Sequence, residues 1–198
     1  MSEIEYFLSP TSPFTYLAGA RLERIAEKHG VNILYRPFDI MAVFARTGGT
    51  PPGERHPSRQ AYRLQEIRRV AATQGMEINL KPTHWPTNPA PAAYAIIAAQ
   101  NQGGGDLGLL VRSFLAGCWQ GELNIADDDV IRGCLGGAGF DPGLADRGLV
   151  VGAETFAANT EAAVNQGVFG APTYLVDDQV FWGQDRLGYL DTYLADRA

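Results

Sequence analysis

Ser12 and Pro13 stand between an apolar run, Tyr6-Phe7-Leu8, and an amphipathic segment that begins Phe14-Thr15-Tyr16-Leu17. A serine, then a proline, then a helical pattern marks a helix N-terminus, with Ser12 as cap and Pro13 at the first helical position. Such a terminus presents unpaired N–H groups and a partial positive charge, so it attracts anions and thiolates. A hydroxyl there has two uses: it caps the helix, or it also holds a reactive sulfur that arrives from outside. The chain's own sulfurs do not suit the position. Cys118 and Cys134 lie in helical patterns and form no C-x-x-C pair, and His29, His56 and His84 are scattered. No metal site is expected from that set, and the cysteines read as buried free thiols.

The elements that must position Ser12 follow from periodicity. Residues 4–8 read as a strand, Pro13 to Lys28 as a helix stopped by Gly30, and residues 31–38 as a second strand. Phe14, Leu17, Leu22 and Ile25 are the candidate buried positions of that helix. Strand, helix, strand in so short a span is a βαβ unit with parallel strands. Residues 58–75 read as a helix with Arg63, Arg68 and Arg69 on exposed faces. Residues 89–101, 106–120, 127–136 and 152–166 read as four more, separated by Gly- and Pro-rich punctuation. Strands return at 173–176 and 180–182 around Asp177-Asp178-Gln179, and Arg186 to Ala195 reads as a closing helix. The strand-bearing ends, 1–39 and 167–198, share one sheet only if residues 40–166 form a helical insertion.

Composition narrows the partners. Apolar residues make up 45% of the 198 and charged residues 19%, which suits one substantial globular core. A net charge of −6 leaves no basic footprint for nucleic acid. No apolar run reaches the length of a bilayer. The acidic start, Met-Ser-Glu-Ile-Glu, enters a strand directly and does not read as a signal peptide, so the cytoplasm is the expected location.

Four segments carry a family resemblance: Ser12-Pro13-Phe14-x-Tyr16-Leu17-Ala18, Cys118-Trp119-x-Gly121-Glu122, Val168-Phe169-Gly170-Ala171-Pro172-Thr173, and Phe181-Trp182-Gly183-Gln184-Asp185-Arg186-Leu187. With the element order, they make the chain resemble the thioredoxin-like fold with a large all-helical insertion, as in DsbA-like disulfide oxidoreductases. Within that group it looks most like the glutathione-dependent 2-hydroxychromene-2-carboxylate isomerases and the kappa-class glutathione transferases.

The resemblance implies a glutathione-dependent isomerase acting on 2-hydroxychromene-2-carboxylate or a similar small aromatic acid, commonly a homodimer. Ser12 stands where redox relatives carry cysteine, so it would stabilise the thiolate of bound glutathione. Pro172 would be cis, and Ala171 would pair through its backbone with the cysteinyl part of the tripeptide. Gln184 and Asp185 would meet the γ-glutamyl end, with helix capping the plain alternative for Asp185. Thr50 lies where kappa-class enzymes use an asparagine toward glutathione. Arg59 lies near their ligand-binding lysine; pairing with the glycyl carboxylate and a solvated helix-start arginine both remain open. Asn88 and Trp85 are candidates for substrate contact, with packing the alternative for Trp85. The chain departs from the isomerase pattern at Ser9, where aspartate is frequent, and in the loop Trp85-Pro86-Thr87-Asn88-Pro89. Two other functions stay in view: conjugation as in a kappa-class transferase, and non-catalytic peptide binding.

Overall fold

A computed structural model describes residues 3–197. Four strands form one sheet: β1 (Glu3–Leu8), β2 (Asn32–Pro37), β3 (Thr173–Val176) and β4 (Gln179–Trp182), in the order β2-β1-β3-β4. β1 and β2 are parallel, with Ile4 opposite Ile33. β1 and β3 are antiparallel, with Tyr6 opposite Tyr174, and β4 completes a hairpin with β3. All four residues of β3 are buried, whereas β4 forms a largely exposed edge. The hairpin turn is shorter than its sequence suggests. Gln179 already pairs with Val176, leaving Asp177-Asp178 as the connection. Asp177 takes a positive φ of 54°, a conformation that aspartate tolerates better than most residues.

Among the described residues, ten α-helices accompany the sheet. They are α1 (Pro13–Tyr16), α2 (Arg21–His29), α3 (Ile40–Thr47), α4 (Pro57–Gln74), α5 (Ala90–Gln102), α6 (Leu107–Trp119), α7 (Asp128–Gly137), α8 (Leu144–Arg147), α9 (Leu149–Asn165) and α10 (Leu187–Ala195). The single helix expected over 13–28 is interrupted. Gly19 adopts φ +57°, and the N–H groups of Ala18 and Gly19 bond back to Thr15 and Tyr16, tightening the turn. Arg21 then satisfies the carbonyls that the break leaves over, donating to Leu17 O and Ala18 O at 3.0 Å each. Hydrophobic periodicity runs through this break, which is why spacing alone did not show it. Helix α3 was also not anticipated, although both of its ends carry sequence signals. Asp39 caps it by accepting from Met41 and Ala42, and Gly48 ends it at φ +77°.

One core joins the sheet to the helical block: Ile4, Tyr6 and Leu8 share a buried cluster with Ile96 of α5 and Phe114 of α6. Alanines along α5 are almost fully buried and let α9 approach closely. A Cβ at Gly148 would stand 2.4 Å from Ala98, and one at Gly152 would stand 2.5 Å from Tyr94. Buried polar groups then tie α9 to the end of β2. Asn159 accepts from Arg36 and donates to Pro37 O, while Thr160 accepts the Asp39 N–H. These contacts fix the start of α3 beside the end of β1. No helix among the described residues is long and apolar enough to cross a membrane.

Candidate active site

Ser12 closes a tight turn after β1, donating its N–H to Ser9 O at 3.0 Å. Its Oγ accepts the Thr15 N–H at 3.2 Å, the capping bond that the sequence suggests. The same hydroxyl donates to Ala171 O at 3.3 Å, across 159 residues of sequence. Ala171–Pro172 is a cis peptide, and Pro172 O in turn accepts the Gly183 N–H at 2.9 Å. Three of the resembling segments therefore meet at one point. Because α1 has only four residues, its end contributes little as a macrodipole, and local donors carry the electrostatics.

Two cavities of about 680 and 320 Å³ open on either side of this point. Phe14, Arg55, Arg63, Ala171 and Trp182 line both. The larger also contains Arg59, Gln184 and Asp185, and the smaller contains Ser12, Trp85 and Pro86. Thr50 and Asn88 line neither. Thr50 instead offers its carbonyl to Arg55 Nε at 2.8 Å, and Asn88 accepts the Ala90 N–H at the start of α5. Gln184 is buried, and its Oε1 accepts from Arg21 at 2.6 Å. Asp185 is exposed and pairs with Arg186 at 3.2 Å. Trp85 packs against Trp119 with ring centres 5.7 Å apart, and its indole N–H reaches Thr11 O at 3.4 Å.

The chief surprise is cationic. Arg63 was expected on an exposed face of α4, but it is half-buried with its guanidinium over the Phe14 ring at 5.9 Å. Burial, then the neighbouring Arg55 charge, holds its pKa below the usual arginine value; burial and Arg59 do the same to Arg55. Among the described residues, none of Arg55, Arg59 and Arg63 forms an ion pair with a carboxylate, whereas the carboxylates of Glu66 and Asp185 at the cavity are already engaged by Arg69 and Arg186. One sequence signal was available: Arg59 and Arg63 are four apart, and like charges at that spacing share a helix face and repel. Trp182 stands in the fourth resembling segment, but its place in the cavity wall depends on Gly170 and was not legible there. A Cβ at Gly170 would stand 2.3 Å from the Trp182 indole nitrogen.

The loop bearing Trp85 and Pro86 is held from the segment after α6. Glu122 accepts from the Asn79 amide and from both the N–H and hydroxyl of Thr83, and Asn124 accepts from Thr87 at 2.6 Å. Those bonds hold the Glu122 carboxyl below the usual carboxylate range. The Cys118 thiol is the opposite case: burial pushes its pKa up to about 12, and burial raises that of Cys134 as well. Neither thiol lines the two cavities.

A buried strand end, a hydroxyl-capped turn and a facing cis-proline loop, carried by a sheet with inserted helices, define the thioredoxin class. The chain belongs to the DsbA-like thioredoxin domain family, whose model matches residues 3–195. Within that class it is 31% identical to the 2-hydroxychromene-2-carboxylate isomerase of Sphingobium xenophagum, over 98% of both chains. A solved 2-hydroxychromene-2-carboxylate isomerase superposes with a TM-score of 0.79 at 22% identity, covering 98% of this chain and 95% of the other. The cytosolic disulfide reductase DsbM from Pseudomonas aeruginosa, solved with GSH, shares the fold at a TM-score of 0.70 and 17% identity, covering 98% and 99%.

Proposed function

We propose that this protein is a glutathione-dependent isomerase of 2-hydroxychromene-2-carboxylate or a similar small aromatic acid. The observation that carries the reading is a serine hydroxyl, rather than a cysteine, facing the Ala171-Pro172 loop at 3.3 Å. A serine there cannot exchange disulfides, but it can stabilise the sulfur of a bound thiol. The larger cavity suits glutathione chemically, because a tripeptide with two carboxylates and one ammonium matches a wall holding arginines and an exposed aspartate. The 31% identical relative supports the same reading.

Bound glutathione would supply a thiol nucleophile for reversible addition to the conjugated acceptor, with ring opening and bond rotation before its elimination, and so would not be consumed. Ser12 donates a hydrogen bond from its hydroxyl to the sulfur, raising the thiolate fraction near neutral pH. Ala171 offers backbone pairing to the cysteinyl unit. Asp185 accepts from the γ-glutamyl ammonium, and Gln184, anchored by Arg21, offers the amide N–H groups that its side chain retains. Arg59 pairs with the glycyl carboxylate. Thr50 acts through the orientation of Arg55, Trp85 forms a wall for the acceptor, and Asn88 fixes the start of α5 behind that wall. The protein's contribution is orientation and charge stabilisation around a borrowed nucleophile. In the same reading, residues 40–166 are the insertion into a thioredoxin-like unit formed by 1–39 and 167–198. The exposed apolar Leu149, Val150 and Val151 support a homodimer, and the two protonated thiols suit a reducing cytoplasm.

The test is an ultraviolet assay of chromene ring opening with and without glutathione, with glutathione quantified before and after. Ring opening that requires glutathione yet leaves its amount unchanged is expected. Stoichiometric loss would make the protein a conjugating transferase. Absence of any calorimetric signal at millimolar glutathione would leave only a peptide-binding role.

A further inference from the structure

The smaller cavity, beside Ser12, has a charge pattern that the thiol site does not explain. Its one carboxylate, Asp39, already accepts from two backbone N–H groups at the start of α3. Its two cations, Arg55 and Arg63, are without a carboxylate partner among the described residues. The rest of its wall is mostly apolar and aromatic, with Phe14, Met41, Phe44, Trp85 and Trp182 prominent beside the hydroxyl residues Ser9, Thr11, Ser12 and Thr87. The cavity therefore has room for a flat apolar body and carries positive charge in excess. Arg55 is already oriented, donating through Nε to Thr50 O and lying over the Phe44 ring at 5.8 Å. Arg63 lies over Phe14, and no hydrogen bond from its guanidinium is formed among the described residues. Arg55 lies close enough to disfavour the charge on Arg63, and an anion between the two guanidiniums stabilises both.

We propose that Arg63 is the residue that binds the carboxylate of the acceptor, at the junction of the two cavities, with Arg55 as its neighbour. This deepens the isomerase reading and rests on it. Arg59 lines only the larger cavity and stays with glutathione, so the two carboxylate-bearing ligands are sorted by position along one face of α4. With the carboxylate on Arg63, the aromatic ring lies against Phe14 and Trp182. The conjugated carbon is then presented toward the Ser12 side, where the sulfur is held. A neutral analogue of the same shape would fill the cavity but leave the arginine unpaired.

Trp85 and Trp182 line the cavity, so tryptophan fluorescence reports its occupancy without glutathione present. The probes are trans-cinnamate and trans-cinnamamide, equal in shape and different in charge. Wild type is expected to prefer cinnamate by about tenfold or more. Arg63→Gln should remove that preference, Arg63→Lys should keep part of it, and Arg59→Gln should leave it intact. Circular dichroism establishes that each variant is folded. Equal binding of the two probes by wild type, no binding of cinnamate, or a preference that survives Arg63→Gln each overturns the proposal. A parallel glutathione titration separates the two ideas. Arg63→Gln should leave glutathione affinity within about twofold, and an equal loss toward both ligands would reassign Arg63 to glutathione. A wild-type protein that discriminates the probes but ignores glutathione would sink the isomerase reading and leave the Arg63 assignment standing.

Discussion

Replacing Ser12 with alanine separates the two roles of its hydroxyl, because each has its own observable. The capping bond from Thr15 N–H is 3.2 Å long, and loss of a serine cap costs about 1 kcal/mol. The bond to Ala171 O is long at 3.3 Å and half-buried, so its loss adds about 0.5 kcal/mol, the low end for such a bond. The sum, about 1.5 kcal/mol, corresponds to a fall in Tm of roughly 3–6 °C for a chain of this size. The bound thiol responds on a different scale. A hydrogen bond to a charged group contributes about 1.5–3 kcal/mol, so the variant should raise the pKa of bound glutathione by about 1–2 units. Thiolate absorbance in the ultraviolet, followed against pH at saturating glutathione, reads that shift directly. A variant that loses the expected stability while the bound thiol titrates as in wild type would refute the thiolate role and leave Ser12 as a cap.

Gln184→Ala should cost about 1–3 kcal/mol in chemical denaturation, because Arg21 loses its 2.6 Å acceptor in a half-buried setting; no change would mean that the two backbone carbonyls suffice. Glu122→Gln should flatten the acid limb of the stability profile. The folded carboxyl lies below its unfolded pKa, so its contribution is full above that unfolded value and is lost as pH falls through the folded one. Thermal melts across the acid range check this, and parallel curves for variant and wild type would contradict it. Thiol-labelling reagents should not modify Cys118 at neutral pH until the protein unfolds, since it is buried and its thiol stays protonated, whereas the half-buried Cys134 should react more slowly than a free thiol. Labelling of Cys118 on the timescale of a free thiol, read by mass spectrometry, would contradict its place in the core.

The sheet was legible because β1, β2, β3 and β4 are short apolar runs with clear punctuation. The long helices were equally clear, with Gly75 ending α4 and Asp106 capping α6. The local failures include the unread helix α3 and the break between α1 and α2. The break between α1 and α2 lies inside an apolar stripe that continues across it, and it is maintained by Arg21 reaching back to carbonyls that no spacing rule identifies. The motifs holding Ser12, Ala171, Gln184 and Asp185 were legible, and the structure brings those segments together at the candidate site. The placing of Arg55, Arg63 and Trp182 was not legible, because it depends on the packing of Arg55 over Phe44 and Arg63 over Phe14, and on the absence of a side chain at Gly170. Such placements are tertiary facts, written in several distant segments at once.

The bond from Ser12 to Ala171 has a consequence for ligand binding that follows from counting hydrogens. A serine hydroxyl has one proton, and in this structure it is spent on the Ala171 carbonyl. A sulfur arriving beside Ser12 must take that proton for itself, which leaves the carbonyl short of a donor. An amide N–H on the same ligand can fill the vacancy. The exchange is favourable only when one molecule brings both groups at the right separation, as a cysteinyl peptide does and a simple thiol does not. On the glutathione reading proposed above, the free protein would hold a latch that opens to a pair of contacts made together, and selectivity for a peptide thiol over a smaller one would arise without any residue dedicated to it.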